Sequence, residues 1–229
     1  MLKPNSALSL QDVHLTLPSR AGDVKILRGI SVSANQGDAI GIVGPSGSGK
    51  TSLLMLIAGL EAASSGHISV AGVNLIDKSE PALAKFRRDN IGIIFQSFHL
   101  IPTMTALENV AVPLEFKGDV NALKKAEQGL TRVGLSHRLS HYPGQLSGGE
   151  QQRVAIARAI SSGAKILLAD EPTGNLDQET GASIIELLFE LQAHENATLL
   201  LVTHDKNLAK RCGRILEVRD GLVSEGKAK

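Results

Sequence analysis

The chain has 229 residues, 42% of them hydrophobic, and a formal net charge of +1. That is enough apolar material for a large core in one domain, or in one domain carrying a subdomain, and it excludes a disordered chain. No Lys/Arg-rich run supplies a broad electrostatic footprint for DNA or RNA, and the longest apolar runs, such as Leu199-Leu200-Leu201-Val202, fall far short of the roughly 20 residues a membrane-crossing helix needs.

In chain order, Met1 to Gln11 carries one Lys and no sustained apolar core, so it does not read as a secretory signal and a cytosolic location is expected. Leu8, Leu10, Val13, Leu15 and Leu17 alternate with polar residues, with a slip at Gln11-Asp12, and Ile30 and Val32 begin a similar pattern. This predicts an N-terminal antiparallel region. Gln36-Gly37-Asp38 then turns the chain into Ala39-Ile40-Gly41-Ile42-Val43, an apolar run suited to a strand covered on both faces. After the Gly-rich segment 44–51, Leu53, Leu54, Ile57 and Leu60 recur at helical spacing, which predicts strand, loop and helix in that order.

The stretch 98–158 shows helical patterns at Met104 to Val112 and Asn121 to Val133 and no convincing strand, so it reads as a helical subdomain inserted into a core made of 1–97 and 159–229. Two further strands end in Asp170-Glu171 and in His204-Asp205, with a helical stripe of Ile184, Ile185, Leu188 and Leu191 between them. Strand, helix, strand alternation predicts an α/β fold with a parallel sheet. Ligands of such sheets gather beyond the carboxyl ends of the strands, where the loop, the acidic pair and His204 are expected. The single Cys212 cannot form an internal disulfide and reads as a small packed residue. His137 and His141 are four apart and could share a helical face, but no Glu or Cys ligand stands near them, so no metal is expected there.

Gly44-Pro45-Ser46-Gly47-Ser48-Gly49-Lys50-Thr51, with Ser52 after it, fits the phosphate-cradle pattern of Gly, four residues, Gly-Lys and a hydroxyl residue. Gly44, Gly47 and Gly49 let successive N–H groups point at phosphates, and the helix beginning near Gly49 adds its positive end. Lys50 would reach the β- and γ-phosphates and the Thr51 hydroxyl would ligate Mg²⁺. Asp170 closes an apolar strand and is expected to hold Mg²⁺ through water. Glu171 is then the candidate to polarise the attacking water. Ser147-Gly148-Gly149 precedes Glu150-Gln151-Gln152-Arg153 and a helix, so a Ser N-cap with glycines presents a second anion-binding helix end. With one complete cradle already present, this second end makes sense if it serves a phosphate bound to another copy.

The order and spacing of these motifs resemble the nucleotide-binding subunit of ABC-type ATPases along nearly the whole chain, which implies a P-loop NTPase core of the RecA-like kind. The resemblance implies that Gln96 touches Mg²⁺ and the attacking water, that His204 contacts the γ-phosphate, and that Pro172 to Asp177 includes a dimer-contact loop. It further implies a head-to-tail homodimer around two ATP molecules, each copy lending Ser147 to the other's site. The stretch Phe95 to Val110 looks like the group that includes the lipoprotein-release and macrolide-export ATPases, closest to its YbbA-type members. That group implies a separately encoded integral membrane permease as partner, a place on the cytoplasmic face of the membrane, and hydrophobic or lipid-like cargo.

One departure stands out. Many relatives stack an aromatic residue on the adenine shortly after the first strand, and here Leu17 occupies the matching region, with Phe86 the first aromatic of the chain. Weak adenine discrimination and modest ATP affinity are expected. A soluble relative acting on nucleic acid or ribosomes would be expected to show a basic face, a long coiled coil or two fused motors, and none is visible. An ATP-dependent regulator of a membrane protein would carry the same motor and stays open.

Overall fold

The computed structural model describes residues 6–20 and 22–226; Met1 to Asn5 and the last three residues, over which the readings of the two ends extend, lie outside them. The elements run β1 (Ser6–Ser19), β2 (Gly22–Asn35), β3 (Ala39–Val43), α1 (Lys50–Ile57), β4 (Ser65–Val70), β5 (Val73–Asn74), α2 (Glu80–Asn90), β6 (Ile91–Phe95) and α3 (Ala106–Phe116). They continue with α4 (Ala122–Arg132), α5 (Gly148–Ser161), β7 (Ile166–Asp170), α6 (Gln178–Glu195), β8 (Thr198–Val202), α7 (Lys206–Lys210), β9 (Arg214–Arg219) and β10 (Leu222–Gly226). They fall into two units: the described residues up to Arg87 with those from Ala197 onward, and Arg88–Asn196.

In the first unit, β1 pairs antiparallel with both β2 and β4, and β5 follows β4. The slip at Gln11-Asp12 is a bulge: the register shifts between Leu10 and Val13, Asp12 takes φ 49, and Leu8, Leu10, Val13 and Leu15 all stay buried. An extra residue is the way a strand corrects a broken alternation without turning its apolar face to water. The strand β3 lies between β8 and β9, parallel to both, and β10 pairs antiparallel with β9. Its Ile40 and Ile42 are wholly buried, as a doubly covered strand requires.

Helix α1 is shorter than the periodicity suggests. It ends at Ile57, where Gly59 at φ 65 donates to Leu56 O and Leu60 N donates to Met55 O. That paired closure is the Schellman arrangement. It leaves Leu60 49% exposed rather than on the buried stripe.

In the second unit, β6 and β7 run parallel, with Phe95 opposite Asp170. Helix α5 packs on β6 at Gly92, where a Cβ would stand 2.3 Å from Ala159 O. Helices α3 and α4 pack with α5, and no strand falls within 98–158. The start of α3 moves from Met104 to Ala106 because Thr105 and Glu108 form a reciprocal capping box, while the wholly buried Asn109 bonds Ile101, Met104 and Thr105. His137 and His141 lie in turns, not on one helical face, and His141 Nε2 lies 3.0 Å from the Arg138 guanidinium.

Candidate active site

The first unit carries the glycine loop between β3 and α1. Gly44 has φ 154, and a Cβ there would meet Val218 O at 2.0 Å. Gly49 has φ 103 and sits against Leu27 and Ile26 of β2, with a hypothetical Cβ 2.8 Å from Leu27 Cδ2. Both positions are open only to glycine. The loop is tightened by Ser48 N donating to Pro45 O at 3.3 Å. Pro45, Ser46 and Gly47 stay exposed along it.

Lys50, 9% exposed, turns its ammonium back on the loop and donates to Gly44 O at 3.0 Å and Pro45 O at 2.9 Å. A cation thus sits at the centre of the loop. Ser48 Oγ is buried with no hydrogen-bond partner among the described residues. Gly49 caps α1 with no side-chain bond and no acid stands in the first turn, so Lys50, Thr51 and Ser52 open a helix whose end lacks a competing carboxylate. Orphan N–H groups, a positive helix end, a buried ammonium and an unpaired hydroxyl together make a cradle for a polyanion.

His204 stands two residues beyond the end of β8 and is exposed. With Gly44, Pro45, Lys206, Lys210 and Arg219 it lines a cavity of about 500 Å³, so this unit brings it to the start of the loop. Leu17 stands half-buried on β1 opposite Val24. The β1–β2 hairpin meets the loop through Ile26 and Leu27 instead, two residues that carry no sequence signal beyond being apolar.

The second unit carries the acidic pair. Asp170 ends β7, and Glu171 leaves it in the left-handed conformation, φ 48. Gly174 N donates to Glu171 O at 3.0 Å and Leu176 N to Thr173 O at 3.0 Å, so two turns follow the acids. Gln96 comes off β6 beside them, as the Phe95–Asp170 register dictates. Its Nε2 donates to Asn175 Oδ1 at 3.1 Å, and Asn175 Nδ2 donates back to Gln96 O at 3.0 Å. Gly174 leaves room for this, since a Cβ there would lie 2.6 Å from Gln96 Nε2.

Ser147 caps α5. Its hydroxyl accepts from Glu150 N at 3.3 Å, and its own N–H donates to Glu150 Oε2 at 2.8 Å. The bond from the Ser147 amide, with a smaller part from Arg138 Nε at 2.8 Å, holds the Glu150 carboxyl below its ordinary range. The cap therefore carries its own carboxylate, and the Ser147 hydroxyl both accepts from Glu150 N and bonds that carboxyl. Gly148 and Gly149 pack against the start of α6: a Cβ would meet Leu176 Cδ2 at 3.2 Å and Thr180 Cγ2 at 2.5 Å respectively.

Two α5 residues with no role assigned from sequence, Gln152 in the run after the cap and Arg158 beyond it, reach loops of this unit. Gln152 Nε2 donates to Pro172 O at 2.7 Å, and Arg158 donates to His99 O at 2.6 Å and Phe98 O at 2.9 Å. Phe98 and His99 both have positive φ, 60 and 48, and the Phe95 and His99 rings meet edge to face at 4.7 Å.

A family model described as "ABC transporter" matches residues 27–174. The chain is 48% identical over 205 residues to the uncharacterized ABC transporter ATP-binding protein YbbA of Escherichia coli K12, across 89% of this chain and 90% of that protein. It is 44% identical over 220 residues to the lipoprotein-releasing system ATP-binding protein LolD of Hahella chejuensis, across 95% of each. The macrolide export ATP-binding/permease protein MacB of Bradyrhizobium diazoefficiens is 43% identical over 231 residues, 99% of this chain but 35% of that longer protein. Among solved structures, the dimeric post-hydrolysis cassette MJ0796 bound to ADP and Pi aligns with a TM-score of 0.89 at 39% identity, over 97% of this chain and 99% of that one.

Proposed function

The chain belongs to the ABC transporter family as an ATP-binding, ATP-hydrolysing cassette, and from that premise we propose that it homodimerises around two Mg²⁺-ATP and drives a separately encoded membrane permease. The cargo of this reading is hydrophobic or lipid-like, and its direction is export or extraction. Among the described residues no helix is long and apolar enough to cross a membrane. In this reading the cassette works on the cytoplasmic face, bound to the permease, with no nucleic acid as partner.

The observation that carries the nucleotide part is the buried Lys50 ammonium held on Gly44 and Pro45 carbonyls beside the uncapped end of α1. Phosphate oxygens bind such an ammonium more strongly than neutral carbonyls do, so ATP draws Lys50 from the loop to its β- and γ-phosphates. The amides of 44–51 and the hydroxyls of Thr51 and Ser52 surround the rest, with Leu17 on the base side and His204 at the γ-phosphate. Thr51 Oγ1, the Asp170 carboxylate and Gln96 Oε1 are hard oxygen donors that fit Mg²⁺, and Gln96 Nε2 is already spent on Asn175. When bound, Mg²⁺ would neutralise charge on the transferring phosphoryl group. Glu171 orients and polarises the attacking water. Ser147 O–H and the amides of Gly148 and Gly149 meet the γ-phosphate held by the other copy, so hydrolysis removes the charge that joins the two.

The test is affinity isolation of the Glu171→Gln chain from detergent-solubilised membranes with ATP and Mg²⁺. A polytopic membrane protein at one copy per cassette is expected. Recovery of soluble proteins or nucleic acid alone would overturn the permease assignment.

A further inference from the structure

We infer that Gln152 is a positioning residue for ATP hydrolysis: from the buried side of α5 it holds the Pro172 carbonyl, and thereby the backbone that sets the direction of Glu171. This rests on the reading of Glu171 as the group that polarises water.

Glu171 is a non-glycine residue at φ 48, a conformation that persists only where its surroundings over-determine it. Its conformation is bounded on one side by β7, paired to β6 as far as Asp170. On the other side stands Pro172, whose ring fixes its own φ and restricts the residue before it. The peptide that follows offers one strong acceptor, Pro172 O, and Gln152 Nε2 takes it at 2.7 Å. The turn bond from Gly174 N to Glu171 O closes the same corner. Rotation of Glu171 out of the left-handed region would swing Pro172 O away from Gln152 and break that bond.

Packing alone does not call for an amide at this place. Gln152 is wholly buried, and its Oε1 has no hydrogen-bond partner among the described residues. A Met of similar length would fill the volume without an orphaned oxygen. The amide is explained by the one bond it makes. That bond also joins the acidic loop to the helix whose first turn bears Ser147, Gly148 and Gly149, five residues or about 7.5 Å of axis away. An anion seated at the head of α5 and the carboxylate of the same copy's Glu171 are thus held in one frame, fastened again where Gly149 meets Thr180.

The experiment compares wild type, Gln152→Met, Gln152→Glu and Glu171→Gln in Mg²⁺-ATP turnover, ATP affinity and thermal unfolding. Gln152→Met is expected to lower kcat by roughly 10- to 100-fold, the scale of a misplaced catalytic group, with ATP affinity unchanged and the unfolding temperature equal or higher. Gln152→Glu can donate to Pro172 O only when protonated, and burial raises a carboxyl's pKa, so its turnover relative to wild type should rise as pH falls from 8.5 to 6. Wild-type kcat in Gln152→Met overturns the inference. So does a fall in kcat that comes with an equal loss of affinity or of the fold, because that assigns the side chain to packing, or a pH-independent ratio for Gln152→Glu. Wild-type turnover in Glu171→Gln would remove the reading of Glu171 itself, and the inference with it, whatever Gln152→Met does.

Discussion

Lys50 holds the strongest charge of the glycine loop and satisfies it on the loop's own carbonyls, at 3.0 and 2.9 Å. Truncating it removes the cation aimed at the phosphates and leaves those carbonyls without their donor. A charge-assisted hydrogen bond contributes about 1.5–3 kcal/mol, so Lys50→Ala should weaken ATP binding by about ten- to a hundredfold, read by calorimetry. Normal affinity in that variant would mean that phosphate does not bind at this loop. Cys212 makes the opposite case, a group with chemistry that burial silences. It is 2% exposed, and desolvation pushes its thiol up to about 11, only slightly opposed by Arg211. Thiolate is the reactive form, so the native chain should resist iodoacetamide at pH 8 and react once unfolded, as a mass shift in urea would record. Because the folded pKa lies above the unfolded value, the thiol's contribution to stability is complete below about pH 8.5 and is lost as pH rises through about 11.

At the scale of elements, the two helix ends proposed to meet phosphate differ. Helix α1 begins at a glycine with no side-chain cap and no acid in its first turn, whereas α5 carries the Ser147–Glu150 capping box. The first end is open for a permanent polyanion. The second is a finished helix start that already carries a carboxylate. Ser147→Asp separates the structural part of that cap from the part met by a partner copy. Asp is as good an N-cap as Ser, so the unfolding temperature should hold, while a carboxylate facing the γ-phosphate should abolish ATP-driven dimerisation in a Glu171→Gln background. A dimer that forms regardless, seen by light scattering, would mean that α5 does not meet the partner's nucleotide. Along the rest of α5, Gln152 and Arg158 fasten two loops of the same unit, one after β7 and one after β6. One helix thereby carries a recognition end and two loop anchors.

The whole chain divides so that Arg88–Asn196 is one continuous segment within the rest. The phosphate loop and His204 belong to the first unit, and Gln96, Ser147, Asp170 and Glu171 to the second. In the proposed dimer, groups from two copies are brought into register around each nucleotide. Hence the state of assembly should follow the nucleotide. The Glu171→Gln chain is expected to run as a dimer with Mg²⁺-ATP and as a monomer with ADP, and a nucleotide-independent mass would remove the proposed cycle.

What the sequence determined by itself was the order of strand, glycine loop and helix at 39–57, the strands that lead to Asp170 and His204, and the cap at Ser147. Each is written within a few neighbouring residues, as a period of 2 or 3.6, a run of glycines, or a Ser with Glu three places on. Even there, local pattern overran: Leu60 keeps the helical spacing, but Gly59 closes α1 before it. The short pairing of β4 with β1, the helix α2, the backing of Gly49 by Ile26 and Leu27, the left-handed turn at Glu171 and the grip of Gln152 on Pro172 were decided only by the tertiary structure. The strand pairing, the backing of Gly49 and the Gln152–Pro172 bond join residues about 20 to 60 positions apart, and a side chain's partner at that distance follows from which elements the buried core forces together, which no local period encodes.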